Sequence, residues 1–147
     1  MIEALIKARD EHERLLEFLR AAFLFLCLTG FAFYGMEHWV LGHYLESWQS
    51  RVPFYLSVVG FPLTLLMFFH RGKGVRYPFM FWMIITLLSG LVGSYFHLAW
   101  NAKDAEVSIW SVAGLVEAFK GSRPVLAALA HTHIGAVGLI IGWTIRD

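Results

Sequence analysis

His38, His97 and His131 each fall in an apolar, uncharged or nearly uncharged stretch, and each shares a helical stripe with glycines: Gly35 and Gly42, Gly90 and Gly93, Gly135 and Gly138. Residues three, four or seven apart lie on one side of an α-helix, and glycine-lined sides are where membrane helices press together. The three imidazoles are therefore expected to point into a helical bundle and away from lipid. An ionisable side chain in that setting is costly, so it marks a functional site. Imidazole can ligate a bare transition metal, hold a haem iron or hydrogen-bond helices together.

His43, His133 and Glu37 fall at the same depth as the trio. On regular helices His131 and His133 differ by about 200° and His38 and His43 by about 140°, so one compact centre takes at most one of each pair. The candidate metal donors are His38, His43, His97, His131 and Glu37, with the glycine stripes favouring His38, His97 and His131. Three imidazoles with an open position suit zinc, copper or iron, and Glu37 would be a fourth ligand or orient an imidazole. Haem b would use His38, His97, His131 and His133 differently. Two helices each offering a histidine clamp the iron, glycines leave room for the macrocycle, and the 16% aromatic content supplies apolar walls. The opposite azimuths of His131 and His133 would then serve two haems. His12 lies among charged residues, and His70 sits beside Arg71 at the other membrane face. Cys27 reads as a small buried hydrophobe, and one cysteine excludes an internal disulfide.

The segment Ala130-His131-Thr132-His133-Ile134-Gly135-Ala136-Val137-Gly138 resembles the His-x-His helix of the catalytic subunit of haem–copper oxidases and nitric oxide reductases. The resemblance implies His131 as axial ligand of a high-spin haem and His133 as ligand of a low-spin haem, with His38 or His97 opposite. It does not extend to that family's copper ligands, so it implies a small protein with a reduced haem-binding helix.

The elements that must position these residues follow from hydropathy. The chain of 147 residues is 58% hydrophobic with 16% charged residues, and its mean hydropathy of +0.59 is more than a soluble domain of this size can bury. We expect an all-α integral membrane protein: a four-transmembrane-helix bundle in one domain, preceded by an amphipathic surface helix at 1–20. The spans are expected at about 21–44, 54–69, 77–100 and 124–143, the second short for a ~30 Å bilayer core. Pro62 should bend that second span, Pro124 should open the fourth, and SIWSVAGLVEAF should form an interfacial helix. No cleaved signal segment is expected.

Lys7, Arg9, Arg14, Arg20, Arg71, Lys73, Arg76 and Arg146 fall on one side, against Arg51, Lys103, Lys120 and Arg123 on the other. Both termini are thus expected on the cytoplasmic side of a bacterial inner membrane. A net charge of +1 gives no reason for a nucleic-acid partner, and nucleotide-binding, nucleophile–base and zinc-finger spacings are missing. The expected function is binding of haem b or a transition metal (Cu, Fe or Zn) at the outer-leaflet histidine cluster. The service would be electron transfer, redox sensing or support of a respiratory complex, as a membrane oxidoreductase component if enzymatic. The alternative is a metal-ion carrier or a non-catalytic accessory subunit. Lipid and a redox partner are the expected partners, and the oligomeric state is left open.

Overall fold

Three of the helices begin where a polar side chain, Asp10, Ser47 or Ser111, takes up a free backbone N–H group. In a computed structural model that describes residues 10–145 together with Ile6 and Ala8, Asp10 accepts from the Glu13 amide and starts α1, Glu11–Val40. Glu11 and Glu13 in its first turn complement the helix dipole. From Glu11 onward the amphipathic stretch and the first span are one continuous helix. The part before Asp10, apart from Ile6 and Ala8, lies outside the described residues, as do Lys7, Arg9 and Arg146.

A single 3-10 turn, His43–Leu45, leads to α2, Trp48–Phe69. Ser47 and Ser50 form a reciprocal capping box, so the polar residues 48–53 belong to the helix and not to the preceding turn. With them α2 has 22 residues, enough to span. Helix α3, Lys73–Asp104, follows; α4, Val112–Phe119, is capped by Ser111; and Pro124 precedes α5, Val125–Thr144.

All four long helices are long and apolar enough to cross a membrane, and the chain is an all-helical integral membrane protein. They pack in an up-and-down ring in which α1 meets α2, α2 meets α3, α3 meets α5, and α5 returns to α1. Large apolar side chains such as Leu26, Phe33, Phe81 and Ile140 are exposed around its outside, which suits lipid as the surrounding solvent. The α3–α5 interface is the most extensive, because glycine stripes let the two backbones approach. A Cβ on Gly135 would come within 2.5 Å of the Leu87 amide nitrogen and 2.6 Å of the Met83 carbonyl. Gly90 in turn lies against Thr132 and Ala128. Between the two ends, Leu24, Cys27, Phe31, Met67, Phe79, Met83 and Ile141 fill the centre.

The ends of the bundle differ. At one, Glu17 accepts from Arg20 and Arg71, Arg20 also reaches the Thr144 carbonyl, and Arg76 reaches the Ile145 carbonyl. The other end carries His38, His43, His97, His131 and His133.

Candidate metal centre at the histidine end

Helix α1 stops at Val40, and Gly42 adopts a left-handed backbone (φ +66°) with open space around it. That conformation is cheap only for glycine. It folds the chain back, so the His43 ring comes to rest 5.5 Å from the His38 ring, centroid to centroid. The 140° separation expected for these two histidines holds only on a continuous helix, and the helix ends between them. They therefore neighbour one another. Gly42, expected on the packing stripe of His38, is the turn residue; Gly35 alone packs, against Ser57 of α2.

On the other side of His38, the His131 ring of α5 is 6.4 Å away, and Tyr34 of α1 lies 4.8 Å from it. His131 is only 3% exposed and its Nε2 has no hydrogen-bond partner, an arrangement rare for a buried polar atom. The Nδ1 atoms of His38 and His43 are engaged by oxygen: the Tyr34 carbonyl at 2.9 Å and Glu46 at 2.7 Å. The Pro53 carbonyl of α2 lies beside the His131 ring. Metal-ligating histidines are usually held this way, by an oxygen on the nitrogen away from the metal.

The remaining candidates lie elsewhere. His97 sits on the α3–α5 seam, its Nδ1 3.1 Å from the Pro124 carbonyl and its ring 6.1 Å from Trp100. His43 is within charge–charge range of it, but the His97 ring serves the junction where α5 begins. Asn101, one turn further along α3, was not singled out by sequence. It is buried, donates to the Ala118 and Arg123 carbonyls at 2.9 and 2.8 Å and accepts from the Arg123 amide at 3.1 Å. Its position at the end of an apolar run reads as a loop residue; the buried site shows only once α3 extends to Asp104. His133 is exposed on the opposite side of α5 from His131, with its Nδ1 on the Leu129 carbonyl. Glu37 is exposed and lines a shallow surface hollow with Phe33, Met36 and Val40.

Among the described residues, no three His, Cys, Asp or Glu side chains already stand at metal-binding geometry. With metal–nitrogen bonds near 2.0–2.1 Å, two imidazoles on one tetrahedral ion have centroids ~5.2 Å apart. The His38–His43 pair at 5.5 Å is almost there, and the His38–His131 pair at 6.4 Å must close by roughly 1 Å. A haem between α3 and α5 would need the two backbones to part at Gly90, Gly135 and Gly138. Gly90 is taken up by Thr132, Gly135 by Leu87 and Met83, and Gly138 by Met83, whereas Gly93 has only Ala128 at ordinary contact distance.

No protein-family model, curated protein or solved structure matches this chain. The resemblance of residues 130–138 to a His-x-His haem helix accordingly rests on those nine residues alone.

Proposed function

We propose that His38, His43 and His131 hold one transition-metal ion near a membrane face, in a protein that serves electron transfer or redox sensing beside a respiratory complex. The observation that carries this reading is the buried, unpartnered Nε2 of His131, next to two imidazoles whose Nδ1 atoms are already committed. Copper or iron bound there would supply one-electron chemistry, and zinc a Lewis acid. The Tyr34 carbonyl fixes the His38 ring and the Glu46 carboxylate the His43 ring, and Gly42 brings His43 back over the helix end. The described basic residues, Arg14, Arg20, Arg71, Lys73 and Arg76 against Arg51, Lys103, Lys120 and Arg123, favour termini in the cytoplasm of a bacterial cell, with the histidines facing outward.

A static site is favoured over a carrier because the polar residues below it offer no path. Ser57, Thr64 and Thr86 are buried, and each hydroxyl donates to the carbonyl four residues earlier, Pro53, Gly60 and Trp82.

The test is metal analysis and visible spectroscopy of the full chain in mild detergent, after exposure to Cu²⁺, Fe²⁺ or Zn²⁺. One ion per chain is expected, lost in His38→Ala and His131→Ala and kept in His133→Ala. Failure to retain any of the three ions would overturn the proposal. So would a Soret band that disappears in His131→Ala, which would place a haem there instead.

A further inference from the structure

At the opposite end of the bundle two arginines, Arg20 and Arg71, share one buried carboxylate, Glu17. Glu17 of α1 accepts from Arg20 on its own helix and from Arg71 in the connection between α2 and α3. Arg20 also donates to the Thr144 carbonyl and Arg76 to the Ile145 carbonyl, at the end of α5.

Arg71 is different. Its Nη1 donates to Glu17, while Nε and Nη2 are both buried and have no acceptor. These two atoms form the side-on edge of the guanidinium, the fork that binds carboxylate or phosphate oxygens in pairs. Leaving such charged donors dry and unpaired is expensive. Arg71 lies in the short connection between Phe69 and Lys73, at the edge of a membrane span, with its side chain 20% exposed. The apolar outer faces of α2 and α3 continue from it, through Phe69 and Tyr77, both exposed.

We propose that the Arg71 fork binds the phosphate of an anionic phospholipid, whose acyl chains lie along the exposed faces of α2 and α3. The oxyanion supplies two acceptors to Nε and Nη2. A headgroup at this depth is delivered by the membrane itself, and basic sites between helices select anionic over zwitterionic lipids. The assignment is independent of the histidine site.

Native mass spectrometry of the full chain in detergent tests it, with phosphatidylglycerol and phosphatidylcholine offered in equal amounts. Phosphatidylglycerol should be retained in about tenfold preference, and Arg71→Gln should lower its retention by about tenfold, the loss expected for one charge-assisted pair. Arg71→Lys, which keeps the charge but loses the fork, should fall between. Equal retention of the two lipids by the wild-type chain overturns the proposal whether or not the variants fold. Displacement of phosphatidylglycerol by millimolar inorganic phosphate, with phosphate bound in its place, would overturn the lipid assignment in favour of a free oxyanion site.

Discussion

Replacing Gly42 by alanine tests whether the left-handed turn is what builds the histidine site. Nothing lies within 4 Å of the added Cβ, so the substitution meets no neighbour, and its whole cost is the φ of +66°. A non-glycine residue in that conformation costs about 1–2 kcal/mol. If the turn relaxes in the metal-free protein, His43 leaves its position 5.5 Å from His38, and the strain must be restored on binding. That weakens affinity by about 5–30-fold, since 1.4 kcal/mol is tenfold. If the turn holds, the same energy appears as a lower melting temperature. Competition with a chromophoric chelator for Cu²⁺ or Zn²⁺, run beside thermal melting in one detergent, captures both cases. Gly42→Asn should recover most of the loss, because asparagine tolerates the left-handed region better than alanine does. Two results would refute the reasoning: Gly42→Ala unchanged in both affinity and melting, or Gly42→Asn as impaired as Gly42→Ala.

Three further expectations concern packing and polar burial. Gly135→Ala should destabilise by about 1–3 kcal/mol in chemical unfolding, because the new methyl meets the backbone of α3 and nothing there can rotate away; Gly93→Ala, whose Cβ would sit 3.4 Å from Ala128, should be nearly neutral. His131→Leu should abolish metal retention while raising the metal-free melting temperature, since it removes an unsatisfied buried nitrogen worth about 1–3 kcal/mol; a lower melting temperature would mean that the imidazole has a partner in the metal-free state. Asn101→Leu strands two carbonyls and an amide of the 118–123 segment, and should cost on the order of 3 kcal/mol together with faster hydrogen exchange at Arg123.

The architecture was legible because hydropathy reports directly on membrane spans, and the long uncharged runs leave few alternatives. What hydropathy misses is where a helix starts and stops. The span opening at Phe54 in the sequence begins at Trp48 in the structure, because the serines of the capping box satisfy the free amides ahead of the apolar run. The composition of the site turned on a similar detail. Angular bookkeeping on an unbroken helix separated His38 from His43, yet Gly42 just after an apolar run is itself a helix-stop signal, and applying it would have brought them together. His97 illustrates a different limit. Its glycine stripe does face α5, through Gly90 and Gly93 against Thr132 and Ala128. At the level of His97, however, α5 is only beginning, so the ring meets the Pro124 carbonyl and not another histidine. Depth counted along single helices cannot supply that relative offset.

The two ends of the bundle pose the same electrostatic problem in opposite senses, and the apolar middle keeps them apart. At the histidine end there are donors without a cation, centred on the buried Nε2 of His131. At the arginine end Arg20 and Arg71 share the Glu17 carboxylate, and the buried Arg71 fork has no acceptor. Between them Leu24, Phe31, Met67, Phe79 and Met83 are buried, and the few hydroxyls there turn inward to their own helices. A hydrated ion would have to break those internal bonds and enter apolar packing without replacement ligands, a cost of several kcal/mol for each lost polar contact. An electron pays no such desolvation. A metal held as proposed at the histidine end would exchange electrons with a partner at its own membrane face while the packed core blocks its passage, so the packing favours the proposed fixed centre over a transport route.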